Sequence, residues 1–301
     1  MEAHSAPCRR DVRLQACEGH TRRVARASCP WCSSKELHPL IIDDGVPVVE
    51  CGCCGIAYAL TVPTLQGIRD YYTEQFADER HWESELSSAR PWLHRRLLAR
   101  IAKYKPGGTL LDIGCSFGFF INMARQIGYD VIGVEISEPA ANYARRQFGL
   151  KVFSGTLEEA SLEGESVDVV TLIDVLEHVP EPLITLNEVK RVLRSGGLLV
   201  IRVPNFKFHW LKTLLLRVLK RGNFIGLDSR NHVNHFTVNA LMDGLNRLGF
   251  KVIEVRPGAP NIYRRWLFDS LRIAYWAMAT ALSMMLGIQI GNSIEAFAFK
   301  R

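Results

Sequence analysis

The sequence lacks the features that mark secreted, fibrous or disordered proteins. No apolar core segment lies near the N-terminus, where arginines are frequent, so no secretory signal is predicted. Hydrophobic residues make up 48% and charged residues 23% of the 301 residues, which excludes wholesale disorder. The formal charge of +6 is mild and falls short of the clustered basic surface that nucleic-acid recognition needs. We therefore expect a cytoplasmic globular protein with one full-sized core, a small appendage and no specific nucleic-acid partner.

Cysteine is the exception to this ordinary composition. Eight cysteines in an unsecreted chain indicate metal binding or spare thiols rather than disulfides. Four of them follow the spacing C-x2-C-x18-C-x2-C, and these are Cys29, Cys32, Cys51 and Cys54. Each C-x2-C pair folds into a knuckle that presents two thiolates to a tetrahedral ion, so the sequence predicts a closed, structural zinc site. Short strands are expected between the knuckles, over 39–42 and 46–49.

The order of patterns along the chain divides it into four parts. Residues 1–28 are interpreted as a disordered basic tail, 29–60 as a zinc-ribbon-like module, 61–105 as a helical linker or lid, and 106–301 as an α/β domain. The α/β domain carries insertions at 206–231 and 261–290. The linker is rich in aromatic residues, namely Tyr71, Tyr72, Phe76 and Trp82, which either pack between helices or cover a pocket.

Strand and helix patterns alternate from Thr109 onward. The expected strands are 109–113, 130–135, 151–153, 167–172, 197–203, 250–256 and 293–299. The expected helices are 117–127, 138–148, 181–194 and 237–248. Such alternation predicts a parallel sheet with right-handed crossovers.

The stretch from Thr109 to Phe120 predicts a ligand-binding loop. A buried strand ends at Asp112, and Gly114 and Gly118 let the backbone approach a ligand at a helix N-terminus. The Asp112 carboxylate can accept from a cationic amine, and Glu135 at the end of the next strand can hold ribose hydroxyls. A dinucleotide fingerprint would need glycine at 116 and 119, where this chain has Ser116 and Phe119.

These residues resemble the motifs of class I S-adenosylmethionine-dependent methyltransferases. The resemblance rests on Asp112–Gly118, on Val134-Glu135 and on the segment from Asp174 to Pro182, and it covers roughly residues 85–301. It implies a Rossmann-like seven-stranded sheet with an antiparallel edge, S-adenosylmethionine as cofactor, and a pocket side that includes Asp174. The expected cofactor-binding residues are Asp112, Gly114, Cys115, Ser116, Gly118, Glu135, Ile136, Thr156, Leu157 and Asp174.

The segment Asp174-x-x-Glu177-His178 carries the candidate catalytic residues. His178 can act as a general base near neutral pH, and proton removal from an acceptor hydroxyl would make the reaction an O-methyl transfer. The alternative is a divalent-ion site, since Asp174, Glu177 and His178 with His232 or His235 resemble the ion site of some RNA and quinone-precursor methyltransferases. Histidine beside glutamate at a helix start also has a purely structural interpretation.

The two insertions bear on the acceptor. Residues 206–221 are basic and amphipathic, and 273–290 contain eighteen residues without a charge. We expect the second to be buried or to line the pocket, with peripheral membrane contact as the alternative.

The sequence thus predicts methyl transfer to a small-molecule or lipid-like acceptor. One rival is a non-catalytic binding module that recruits a protein or nucleic acid through the zinc head. The other is a nucleotide-dependent oxidoreductase, which Phe119 disfavours.

Overall fold

The computed structural model of the chain describes residues 23–79, 90–220, 227–262, 266–287 and 289–301. The first 22 residues of the predicted tail and Trp82 of the predicted lid lie outside the described residues. The predicted disorder is wrong for residues 23–28, because Arg23–Ala25 forms a strand that pairs with Thr61–Pro63.

Thirteen strands and eight helices lie in the described residues. The strands are β1 (Arg23–Ala25), β2 (Leu37–Asp43), β3 (Val46–Cys51), β4 (Ala57–Ala59), β5 (Thr61–Pro63), β6 (Thr109–Ile113), β7 (Asp130–Glu135), β8 (Val152–Ser154), β9 (Val167–Ile173), β10 (Leu193–Pro204), β11 (Asn234–His235), β12 (Phe250–Pro257) and β13 (Ser293–Lys300). The helices are α1 (Leu65–Gln75), α2 (Pro91–Tyr104), α3 (Phe119–Gln126), α4 (Glu138–Phe148), α5 (Pro182–Val192), α6 (Phe206–Lys220), α7 (Val238–Arg247) and α8 (Trp266–Leu286).

The large sheet has seven strands in the order β12-β13-β10-β9-β6-β7-β8. The pairs from β8 to β10 are parallel, whereas β13 runs antiparallel to both of its neighbours. The central strands read as continuous apolar runs because helices cover both faces of a parallel sheet. This architecture confirms the predicted α/β fold class and its antiparallel edge.

The cysteine-bearing head, residues 29–60, does not form a sheet of its own. Strands β2, β3 and β4 form an antiparallel sheet whose fourth strand, β11, comes from residues 234–235 of the α/β domain. The predicted boundary after residue 60 therefore does not separate two sheets. The head and the α/β domain both contribute strands to the four-stranded sheet.

The two inserted helices lie at the surface. In α8 the buried residues are Asp269 and Ala279, while Trp266 is 80% and Met284 82% exposed. The expectation that 273–290 is buried or lines the pocket is wrong for helix α8, because most of its apolar side chains are exposed and none of its residues lines the cavity of about 280 Å³ at the carboxyl edge of the large sheet. No helix among the described residues is long and apolar enough to cross a membrane.

Candidate active site

A cavity of about 280 Å³ opens at the carboxyl ends of β6, β7 and β9, and we call it the main cavity for this position and not for its size. Ligands of doubly wound sheets bind at this edge, where the parallel strands deliver their following loops to one place. Helix α1 lines the cavity with Leu65, Ile68 and Tyr72, and Phe76, which follows its last residue, lines it too. Two of the aromatic residues of the predicted lid therefore line the cavity.

The loop after β6 brings backbone to the cavity wall. Gly114 has a φ of 71°, and a Cβ there would overlap Val175, so both the conformation and the space call for glycine. Ser116 also has a positive φ, 49°, and its N–H donates to Glu135 Oε2 over 2.7 Å. Serine replaces the second glycine of the motif in a conformation that glycine adopts more readily.

Glu135 is fixed at the end of β7. Its side chain is buried, and Oε1 accepts a second backbone N–H, from Ser137, over 2.8 Å. Burial raises the pKa of Glu135, and the backbone N–H groups oppose that rise. Glu135 and Ile136 both line the cavity, which suits the predicted contact with ribose hydroxyls.

Asp112 and Cys115 lie behind the wall of the main cavity. They line a smaller cavity of about 40 Å³ that shares Arg90, Gly114 and Ser116 with the main one. Asp112 accepts a hydrogen bond from Thr171, and burial raises the pKa of its carboxyl to about 7. The Asp112 carboxylate can therefore contact a bound cation in the smaller cavity but not in the main one.

Of the remaining predicted cofactor residues, Thr156 and Leu157 line the main cavity and Gly118 does not. Gly118 begins α3, and a Cβ there would come within 2.8 Å of Ala144 Cβ and Leu150 Cδ1. Its glycine is needed for helix packing rather than for close approach of a ligand.

Asp174 forms ion pairs with two arginines. It accepts from Arg202 in a buried ion pair and from Arg90 Nη1 over 3.2 Å. Burial alone would raise the pKa of Asp174, but the charges of Arg202 and Arg90 hold it below its usual range. Asp174 is therefore ionised and neutralised in place, although its residue lines the cavity.

Glu177, His178 and His232 form a separate cluster. One ligand atom from each lies within 4.8 Å of the others. The rings of His178 and His232 contact edge to face at 4.8 Å, and Tyr72 contacts His178 from the cavity side. The predicted alternative His235 is not in the cluster, because its Nε2 bonds the Ser229 hydroxyl over 3.1 Å.

Burial and hydrogen bonding define the protonation state of His178. Burial, reinforced by His232, lowers the pKa of His178 to about 4, so the ring is neutral at pH 7. Its Nδ1 lies 3.0 Å from the carbonyl oxygen of Asn231, which can only accept. The proton is therefore on Nδ1, and Nε2 is left with a lone pair.

Glu177 has an oxygen with no hydrogen-bond partner in the described structure. Its Oε2 is buried, and Oε1 lies 4.0 Å from His178 Nε2. Burial and the negative charge of Asp174 raise the pKa of Glu177 well above its usual range. Such an oxygen is satisfied either by a proton or by a bound cation.

The four predicted zinc ligands converge in the head. Cys29 Sγ lies 3.6 Å from Cys54 Sγ, and Cys32 Sγ lies 3.5 Å from Cys51 Sγ. Sulfur atoms of a tetrahedral ion with bonds of about 2.3 Å stand about 3.8 Å apart, so this donor set fits zinc. Cys53 is exposed, as expected of a spare thiol.

Sequence reasoning missed the arginines and the asparagine that hold the site. Arg90, Arg202, Arg26 and Asn234 belong to no motif, and their partners lie 28 to 208 residues away in the chain. No local signal in the sequence could identify them.

Comparison with known proteins agrees with this geometry. Residues 84–255 match the family described as methyltransferase domain. The ubiquinone biosynthesis O-methyltransferase of Cereibacter sphaeroides is 33% identical over 141 residues, covering 45% of this chain and 51% of the relative. That of Ruegeria pomeroyi is 33% identical over 192 residues, covering 62% of this chain and 71% of the relative. The chain thus spans about half the length of the first relative and more of the second.

Solved structures show the same fold. A methyltransferase from Archaeoglobus fulgidus aligns with a TM-score of 0.50 at 20% identity, over 74% of this chain and all of that one. One from Thermotoga maritima aligns with a TM-score of 0.52 at 21% identity, over 77% of this chain and 99% of that one. With the cavity at the carboxyl edge of the sheet and the family match over more than half of its length, the chain belongs to the class I S-adenosylmethionine-dependent methyltransferases.

Proposed function

We propose that this methyltransferase methylates a hydroxyl oxygen of a lipophilic small molecule, with His178 as the general base. The observation that carries the proposal is the place of His178 in the cavity lining, with Nδ1 3.0 Å from the carbonyl oxygen of Asn231, which leaves the lone pair on Nε2. General bases contribute about 10²- to 10⁴-fold to a rate, and the pKa of about 4 makes His178 a weaker base than a free imidazole, so we expect a contribution near the lower end of that range.

S-adenosylmethionine would occupy the main cavity and supply an electrophilic methyl group. Glu135 would hold its ribose hydroxyls, and Thr156 and Leu157 would face the adenine, as their places in the cavity lining support. The small cavity would take the methionine end, with Asp112 toward the ammonium and Arg90 toward the carboxylate. The ammonium and the carboxylate of the cofactor would then each meet a group of opposite charge.

His178 would take the acceptor's proton onto Nε2 as the hydroxyl oxygen forms a bond to the methyl carbon, and the bond from that carbon to sulfur would break to leave a neutral thioether. The carbonyl of Asn231 keeps the ring in the tautomer that leaves Nε2 free. Tyr72, which is packed against the ring, helps to keep water from the base.

The acceptor is proposed to be lipophilic because of the walls it would meet. Leu65, Ile68, Phe76 and Val179 give the cavity an apolar lining beyond the cofactor loop. The curated relatives named ubiquinone biosynthesis O-methyltransferases agree with this class of acceptor. Helix α1, within the proposed lid of residues 61–105, would cover the acceptor.

The exposed helices support delivery of that acceptor from a membrane surface. Trp266, Phe268 and Leu271 of α8 are at least 60% exposed, and Leu211 and Leu215 of α6 are at least 55% exposed. The sequence of α6 has no acidic residue, and the acid of α8, Asp269, is buried. Exposed apolar side chains on helices without an exposed acidic residue fit an anionic lipid surface.

A divalent ion is the second candidate, and the unpartnered Oε2 of Glu177 favours it. Glu177, His178 and His232 offer one oxygen and two nitrogen ligands, a set that suits zinc, iron or manganese. An ion there would polarise the acceptor hydroxyl in place of a base.

The test uses methyl-labelled S-adenosylmethionine, the full chain and an extract of the source cells, with label counted in organic and aqueous phases. Label in the organic phase is expected. His178→Gln should lower turnover at least 100-fold and leave cofactor affinity unchanged, whereas His38→Gln, a control at an exposed histidine of the head, should change neither. Full activity of His178→Gln would exclude the base, and loss of wild-type activity on chelation with EDTA, restored by Mn²⁺, would favour the ion. Cofactor binding without any transfer would favour the binding-module hypothesis.

A further inference from the structure

Strand β11 connects the head to the cluster of Glu177, His178 and His232. Asn234 pairs with Tyr58 of β4, and Ala59 N donates to the Val233 carbonyl over 3.0 Å. His232 immediately precedes this paired segment. The position of its ring therefore depends on a strand that belongs to the head's sheet.

Arg26, three residues before Cys29, joins the same parts by its side chain. Its guanidinium donates to the carbonyls of Ala59 and Val233 over 3.2 and 2.9 Å, and to Asn234 Oδ1 over 3.0 Å. It also donates to the carbonyl of Pro180, two residues beyond His178. One cation thus bridges the head, the His232 loop and the His178 turn.

Asn234 completes this bridge. Its side-chain amide donates to the carbonyls of Val179 and Leu176 over 2.7 and 3.2 Å, and its backbone N–H donates to the Glu177 carbonyl over 3.0 Å. These three bonds bracket the turn that carries Glu177 and His178. The bonds hold the backbone of the turn in place.

The first cysteine knuckle is itself docked on the α/β domain. Trp31, between Cys29 and Cys32, is 1% exposed, and its indole N–H donates to the Ala240 carbonyl of α7 over 2.7 Å. Its ring meets Phe236 edge to face at 5.1 Å. Arg26 and Trp31 lie on either side of Cys29 in the sequence. Both contact residues that follow His232.

We propose that the cysteine head is a positioning device for the active site, in which an ion held by the four thiolates fixes Arg26, and Arg26 with Asn234 sets the relative placement of His178 and His232. Arg26 and Asn234 are positioning residues, because they touch the backbone of the cluster and not the cavity. The consequence for turnover rests on the proposed function, whereas the consequence for the geometry of the two rings does not.

The test measures the ring nitrogens of His178 and His232 by long-range ¹H–¹⁵N spectra of the zinc-loaded full chain, assigned with His178→Gln and His232→Gln. Arg26→Ala and Asn234→Ala should shift or broaden both ring signals, and Arg26→Lys should restore them in part. Arg145→Ala is the control, since Arg145 is also half-buried and donates to a backbone carbonyl, that of Val152, over 2.8 and 2.6 Å. It should leave both signals in place.

Cofactor binding and metal removal supply the second readout. By calorimetry, S-adenosylmethionine should bind the Arg26 and Asn234 variants within about twofold of wild type, while methyl transfer falls about 10- to 100-fold, in the range of a misplaced catalytic group. Release of zinc with a thiol-directed mercurial and a chelator should move the ring signals as Arg26→Ala does.

Unchanged ring signals after zinc release, or in both Arg26→Ala and Asn234→Ala, would overturn the inference. Equal loss of cofactor affinity and ring order would do so too, because it would reveal general unfolding. If the rings move but His178→Gln keeps full activity, the positioning stands and the proposed base is wrong.

Discussion

Gly244 offers a sharp test of how the head docks. It is buried in the middle of α7, where glycine normally costs a helix about 1 kcal/mol relative to alanine. Here a Cβ would overlap the indole carbons of Trp31. Trp31 cannot withdraw easily, because its Nε1 is bonded to the Ala240 carbonyl and its ring is packed on Phe236.

The expected magnitudes follow from these two opposing effects. Overpacking a tight site costs about 1–3 kcal/mol, and with Trp31 locked we take the upper end, so Gly244→Ala should destabilise the protein by a net of about 2 kcal/mol. In a Trp31→Ala background the overlap is gone, and the same change should stabilise by about 1 kcal/mol. The coupling between the two sites is then about 3 kcal/mol with a reversal of sign.

The assay is urea unfolding of the two single variants, the double variant and wild type at one fixed zinc concentration. Asn246→Ala, at an exposed position of the same helix, is the matched control and should give the same small gain in both backgrounds. Additive effects, or stabilisation by Gly244→Ala when Trp31 is present, would refute the docking of the first knuckle on α7.

Three further predictions address the site. Glu135→Gln should weaken cofactor binding at least 100-fold by calorimetry, because charge-assisted hydrogen bonds contribute about 1.5–3 kcal/mol each. Glu138→Gln is the control and should leave the affinity unchanged. Equal affinities of the Glu135→Gln variant and wild type would exclude Glu135 from the cofactor site. Asp174→Asn should lower the unfolding free energy by about 3 kcal/mol, because it leaves the buried Arg202 facing a neutral amide, and a change under 1 kcal/mol would contradict the ion pair. Burial, then Arg90, lowers the pKa of His94 to about 3, so the unfolded chain takes up this proton first and stability is lost as pH falls from 6.5 toward 3. His94→Phe should remove the contribution of His94 to that slope, up to about 1.4 kcal/mol per pH unit, while His178 and His235 still contribute; parallel stability curves for the two proteins would count against it.

The large sheet could be predicted from the sequence because its signals are local. Each apolar run between turn residues marks one strand, and β6 and β7 begin and end at the predicted residues, 109–113 and 130–135. The cysteine spacing likewise identifies a thiolate site without reference to the rest of the chain. Helix α8 was misjudged because an uncharged run has the same pattern whether it is buried or lies exposed on the surface.

The segment Asp174-x-x-Glu177-His178 shows why the cluster of Glu177, His178 and His232, the proposed catalytic cluster, could be predicted only in part. Spacing suggests one constellation, yet the residues follow β9 as a turn and not as a helix, so positions three and four apart need not share a face. Asp174 has a φ of 56°, which turns the chain there and directs its carboxylate to Arg202 and Arg90. Glu177 and His178 lie close to His232 instead. The proposed base and its neighbours are therefore assembled by a turn of unusual conformation and by a loop that belongs to the head's sheet. If His178 is the base, a substitution in either should lower turnover without touching the reacting atoms.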